Sequence, residues 1–200
     1  DDLNVLQTLA NQAALAIRNA RMTEELRTSN RNLARSLSES ELLYEVSSGL
    51  NQGADPVVLL KQCLARAREF FGVERASVML VEQESNTLIT KMVDGGPLLL
   101  DGAVLSLGQG VAGGVAKTGV GQIAPRGAQD SAFQRLKPRD GDVRQLMCAP
   151  LITENHCIGV FNVTNRTGGE EFTPRDLQLL TSLAAIAAVA IEKHRVMQER

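Results

Sequence analysis

The chain's closing stretch repeats its opening one. At an offset of 174 residues, Asp2, Leu3, Leu6, Leu9, Ala10, Ala13, Ala14, Ala16, Ile17, Arg21 and Glu25 recur as Asp176, Leu177, Leu180, Leu183, Ala184, Ala187, Ala188, Ala190, Ile191, Arg195 and Glu199. The apolar members fall three or four residues apart, the spacing of one helical face. Self-similarity at a fixed offset is the mark of a tandem array. The chain therefore reads as the last helix of one unit followed by one complete unit of its own.

Setting aside that opening helix and a linker leaves about 150 residues, an ordinary length for one domain. Hydrophobic residues make up 44% of the chain, enough to build a core. A net charge of −2 and an aromatic content of 3% supply neither the basic footprint nor the stacking platforms that nucleic acid requires, so no nucleic-acid partner is expected. There is no run of about 18 apolar residues and no signal-like start, so this stretch is expected to make no membrane contact and to be cytoplasmic. Cys63, Cys148 and Cys157 are odd in number and lack CxxC spacing, which reads as buried thiols and not as a disulfide framework or a zinc site.

Along the chain, the helical period from Leu3 to Ile17 thins into Met22, Leu26, Leu33 and Leu37 among polar residues. Steps of seven and then four residues give a weak coiled-coil seam with a stutter. Leu42, Leu43, Val46 and Leu50 restart a firmer stripe that stops at Gly53. Asp55 and Pro56 then supply an N-cap and an N1 proline for a second helix, and Gly72 supplies its C-cap. Beyond Gly72 the period falls to two. Residues 76–81 and 88–93 read as one antiparallel hairpin, and 143–151 and 157–165 as another. Between them, residues 94–142 are rich in Gly, Pro and Asp, with a short helix near 110–117 and a brief strand near 122–124; an irregular segment of this kind over a sheet is where a pocket lid belongs. Thr173, Pro174 and Asp176 open the closing helix. The order of helices, antiparallel strands with a long insertion, and a final helix is an α+β layout.

Three stretches now resemble a known family. Gly108-Gln109-Gly110-Val111-Ala112-Gly113 with Thr118-Gly119, Cys148-Ala149-Pro150-Leu151 with Ile158-Gly159-Val160, and Asn165-Arg166 leading to Phe172 and Asp176-Leu177 are similar, in that order, to the GAF domain, a ligand-sensing module of phosphodiesterases, phytochromes and bacterial signalling proteins. The resemblance implies an antiparallel sheet of about five or six strands, with terminal helices on one face, a loop and short-helix lid on the other, and the long N-terminal helix in addition. It divides the chain into residues 1–25, the closing helix of a preceding copy; 26–41, a helical, coiled-coil-like signalling linker; and 42–200, the complete domain.

Gly108 to Gly113 also spells GxGxxG, with Asp130 about where a dinucleotide fold would place its ribose acid. A true fingerprint needs a parallel strand before it and a full crossover helix after it, and Gly119 cuts this helix short. The glycines are expected instead to let a short helix lie close to the sheet. Asn165, Arg166, Phe172 and Asp176 are similar to the NKFDE motif of cyclic-nucleotide-binding members, with Arg166 in place of Lys and Leu177 in place of the final acid; they are expected to form a structural brace in which Arg166 pairs with Asp176. His156 beside Cys157 lacks further ligands, so no metal site is expected. The resemblance also covers bilin-binding and methionine-sulfoxide-reducing members whose cysteines lie in the lid, where this chain has none. No catalytic residue stands out, and the chain does not read as an enzyme. The residues name no cofactor.

The residues expected to line a pocket are Asp130, Arg144 and Gln145, with Ile123, Phe133, Leu146 and Met147 as apolar lining. Their strand parity is open, since a one-residue slip exchanges the faces. In the closing helix Leu177, Leu180, Leu183, Ala184, Ala187 and Ile191 form one apolar stripe and Leu179, Ile186 and Ala190 another. Two stripes call for two partners, the domain's own sheet and a second chain, so a homodimer through terminal helices is expected, with this chain's own N-terminal helices as the alternative cover for the second face. The resulting expectation is a sensory module that binds a small molecule and relays its signal to an output domain; a non-liganded dimerisation spacer is the alternative.

Overall fold

The computed structural model describes residues 2–51, 55–96, 104–124, 143–154 and 156–198. They fall into two compact units, Asp1–Leu42 and Leu43–Arg200. Helix α1 runs from Asp2 to Asn51, so its last turns belong to the second unit. No glycine or proline occurs before Gly49, and nothing in the sequence breaks the helix earlier. Some of its hydroxyls turn back onto the helix, Thr8 Oγ1 donating to the Asn4 carbonyl at 2.8 Å and Thr23 Oγ1 to that of Asn19 at 2.8 Å, which satisfies them locally. Within the first unit Leu6, Leu9, Leu15, Ile17, Met22, Leu26, Leu33 and Leu37 are all exposed.

The second unit is the α+β domain. Helix α2 (Pro56–Phe71) starts where the Asp55 carboxylate accepts the Val57 amide at 2.8 Å, and ends at Gly72 in the left-handed region. Six strands follow: β1 (Val73–Glu82), β2 (Thr87–Asp94), β3 (Val104–Ser106), β4 (Gln122–Ala124), β5 (Leu146–Thr153) and β6 (His156–Arg166). All pairings are antiparallel, in the order β3-β2-β1-β6-β5-β4. Helix α3 (Gly110–Thr118) lies between β3 and β4 in sequence, and α4 (Pro174–Gln198) closes the domain. The start of α4 is a capping box: Thr173 Oγ1 accepts the Asp176 amide at 3.2 Å, and Asp176 Oδ2 accepts the Thr173 amide at 2.7 Å.

Register assigns the two faces of the sheet. Val78 pairs with Phe161 and Phe161 with Ala149, and this apolar row faces α2 and α4. Phe71, Phe161, Leu64, Leu180 and Leu183 fill that layer, fully buried. One residue along, the other face carries Met79, Leu88, Ala124, Cys148 and Val160, on which α3 packs Val111, Ala112, Val115 and Ala116. A bulge where β1 passes from Val78 to Met79 inserts Lys91 into β2 and switches which β2 side chains meet which face.

Three features differ from the sequence reading. The strand β3 adds an edge that three residues could not announce. The β5 strand begins at Leu146 and not at Val143, because the amides of Arg144 and Gln145 go to the Asn165 side chain, at 2.8 and 3.4 Å. In α4 the second apolar side also meets this domain: Leu179 and Ala190 are buried along with Leu180, Leu183 and Ala187, Ile186 is half-buried, and the helix packs on both β5 and α2. An 18-residue window of α4 reaches a mean hydropathy of 1.3, long and apolar enough to cross a membrane by composition, yet its buried face belongs to this core.

Candidate functional site

The end of β6 joins the domain's helices. Asn165 takes a left-handed conformation (φ 58°), which asparagine tolerates well among non-glycine residues. Its side chain accepts the amides of Arg144 and Gln145 and donates from Nδ2 to Glu74 Oε2 at 2.7 Å. Glu74 in turn holds the Arg144 guanidinium in an ion pair. Arg166 donates from Nε to the Phe71 carbonyl at 3.1 Å, closing the end of α2, and from Nη1 to the Glu171 carbonyl at 3.1 Å. The same guanidinium lies 3.4 Å from Asp176 Oδ1 and stacks over the Phe172 ring at 4.9 Å. The structure thus brings Asn165, Arg166, Phe172 and Asp176 together where α2 ends and α4 begins.

Asp176 is almost wholly buried. Burial by itself pushes its carboxyl up, but the Thr173 amide and hydroxyl and the Arg166 guanidinium together outweigh that and hold it below its usual value. Its charge is therefore kept at neutral pH, and lysine could not serve the same set of acceptors, because a single ammonium cannot reach two carbonyls and a carboxylate from one planar fork.

A second polar cluster lies on the α3-facing side of the sheet. Cross-strand pairing sets Ser77 opposite Asn162 and Arg75 opposite Thr164, and places Thr90 beside Met79. Arg75, Thr90, Asn162 and Thr164 are all buried, and Arg75 Nε reaches Thr164 Oγ1 at 3.3 Å. Asn162 is 5% exposed, yet its Oδ1 has no hydrogen-bond partner among the described residues. A buried acceptor that neither water nor another group reaches costs about 1–3 kcal/mol. Its cross-strand neighbours are Ser77 and Cys148, at the centre of the face.

The expected pocket residues separate. Leu146 lies on the α3-facing side and packs against the α3 cluster. Met147 and Ile123 pair with each other on the opposite face, toward α4, and Met147 is fully buried there. Arg144 is engaged by Glu74 at the sheet's end, and Gln145, also buried, donates from Nε2 to the Glu170 carbonyl at 3.4 Å. Asp130 and Phe133 lie outside the described residues. The sequence reading missed Arg75, Ser77, Asn162 and Thr164. The signal was present: each pair alternates with apolar residues in its strand, Arg75-Ala76-Ser77-Val78 and Phe161-Asn162-Val163-Thr164, which puts polar groups at every second position of central strands.

The GxGxxG turn is structural. Its preceding strand β3 is an antiparallel edge, and a Cβ at Gly113 would come within 2.6 Å of the Ser106 carbonyl oxygen, so glycine lets α3 sit against the strand it follows. Among the described residues no group of three His, Cys, Asp or Glu side chains is placed to hold a metal. His156 is exposed on its turn, near the Glu154 carbonyl. All three cysteines are free thiols. Burial pushes the Cys63 thiol up to about 12 and raises those of Cys148 and Cys157.

Comparison with known proteins agrees with this architecture. The chain is 26% identical over 161 residues to the nitrogen fixation protein VnfA of Azotobacter vinelandii, covering 78% of this chain and 31% of that one. It is 24% identical over 187 residues to the dual 3',5'-cyclic-AMP and -GMP phosphodiesterase 11 of Drosophila melanogaster, covering 85% of this chain and 13% of that one. The chain thus spans less than a third of either relative. Among solved structures, the GAF domain of a phosphoenolpyruvate-protein phosphotransferase from Coxiella burnetii superposes with a TM-score of 0.72 at 16% identity, covering 82% of this chain and 98% of that one. The family model described as GAF domain matches residues 53–192, from before α2 to within α4. On that match and on the six-stranded antiparallel sheet with its flanking helices, the chain belongs to the GAF domain family.

Proposed function

We propose that this chain is a cytoplasmic sensory module of a signalling protein, which binds a small molecule on the α3-facing side of the sheet. The observation that carries this reading is the unpaired Oδ1 of Asn162 within a row of buried polar side chains. A ligand with an N–H or O–H donor would satisfy that acceptor and gain more there than in water. Leu146 and Met79 supply apolar contact beside it. The proposed role is regulatory and not enzymatic. Exposed Leu26, Leu33 and Leu37 support the further proposal that two copies pair through their terminal helices, and that ligand binding biases this pairing to reach an output domain. The retained Asn165, Phe172 and Asp176, with the cyclic-nucleotide phosphodiesterase among the relatives, make cyclic nucleotides the second class of ligand to try.

The test is native mass spectrometry of freshly purified protein, followed by thermal unfolding of wild type and Asn162→Leu with and without any molecule identified, and with cyclic AMP and cyclic GMP. A retained small molecule, or a saturating ligand that raises the melting temperature, is expected for wild type, since ligand at 100 times its Kd adds about 2.7 kcal/mol. Asn162→Leu should remove that shift while making the ligand-free protein more stable by about 1 kcal/mol, because the unmet acceptor is gone. An unliganded protein with intact self-association and no response to any molecule would favour the spacer reading.

A further inference from the structure

The repeat between the opening and closing helices acquires a structural meaning once burial in α4 is known. Six residues of α4 have no exposed surface: Leu180, Leu183, Ala184, Ala187, Ala188 and Ala190. All six recur identically, as Leu6, Leu9, Ala10, Ala13, Ala14 and Ala16. Between Gln178 and Lys193, by contrast, every exposed position of α4 differs from its counterpart in the opening helix. Over those residues the likeness lies on the side of α4 that packs on β5 and α2; further along, the exposed Arg195 also recurs, as Arg21. In the first unit the corresponding side is open: Leu6 is 65% exposed, Leu9 56%, and Ala13, Ala14 and Ala16 are exposed as well.

We infer that residues 2–17 are the closing helix of another domain of this same fold, encoded earlier in the same polypeptide, and that a β5-like strand and an α2-like helix of that domain cover this face. A second copy of this chain fits the face less well. Its own β5 and α2 are already covered by α4, and a coiled coil would use a narrow seam of large residues, whereas four alanines beside two leucines make the broad flat stripe that lets a helix lie close to a sheet. Asp2 stands where Asp176 caps α4 and meets Arg166, so the earlier domain should also offer a cation to Asp2.

Three measurements on the full-length polypeptide test this. The coding sequence ahead of Asp1 should match the same family. Hydrogen exchange should find amides 6–17 as slow as amides 180–191. Leu9→Asp should abolish the unfolding transition of the earlier domain and leave that of residues 53–192 in place, Leu183→Asp should do the reverse, and Gln12→Asp, on the side that differs between the helices, should change neither. Absence of such a domain from the coding sequence, fast exchange at 6–17, or Leu9→Asp leaving every transition in place would overturn the inference. Leu9→Asp splitting an oligomer without unfolding any domain would overturn it too, by assigning the face to a second copy.

Discussion

At the scale of single residues, the strongest commitments are at Asp176 and the thiols. The Asp176 carboxyl is held below its usual value, so its stabilisation is fully present above the unfolded-state pKa near 3.9 and is lost as pH falls through the lower folded-state value. Asp176→Asn should cost about 2–3 kcal/mol at pH 7, since it leaves the Arg166 charge part-buried with fewer partners, and the gap from wild type should narrow below pH 4. Denaturant unfolding at a series of pH values measures both. For the thiols, Cys63 at about 12 and the raised, fully buried Cys148 should be unreactive toward a thiol-exchange reagent at pH 8 in the native protein, with these two titrating only after unfolding. Fast native labelling of Cys63 or Cys148 would contradict the packing described.

Among the elements, β1 and β6 form the centre of the sheet and approach each other closely at Gly159. A Cβ there would lie 2.2 Å from the Met79 carbonyl oxygen, which is backbone and cannot swing aside. Gly159→Ala should therefore force the two strands apart and destabilise by about 2 kcal/mol or more, although alanine is otherwise the better residue for chain entropy. Equilibrium unfolding decides it, and an unchanged midpoint would mean that the strands do not approach as described. The caps of α2 and α4 were legible because they are local: Asp55-Pro56, Gly72 and Thr173 each act within a few residues. The start of β5 was not legible, because the group that ends its ladder, the Asn165 side chain, lies 20 residues further along.

For the whole molecule, the proposed pairing of chains rests on the exposed leucines of the first unit, since Leu179 and Ala190 of α4 are buried in their own domain. The double substitution Leu26→Asp and Leu33→Asp should shift a dimer to monomer in analytical ultracentrifugation while leaving the melting temperature of the GAF domain unchanged. A dimer that survives would move the interface elsewhere, and the exposed Val189, Val196 and Met197 of α4 are the next place to look. The same division bears on the proposed relay, because Arg166 ties the end of α2 to the start of α4, so a shift of β6 beneath a ligand would reach both helices.

The sequence by itself determined the family, the helices and hairpins, the helix caps and the repeat, because each is written in spacing over a few residues or in a comparison of the chain with itself. Only the tertiary structure decided the site. Whether Met147 or Leu146 faces α3 depends on register, and Arg75 meets Thr164 across 89 positions of sequence. A period of two marks which residues share a face and leaves open which face it is; the pairing of distant strands, with a bulge at Lys91 and the side chain of Asn165 at the ladder's end, settles it. The unmet oxygen of Asn162 is legible only there, since an acceptor lacks a partner by virtue of everything folded around it.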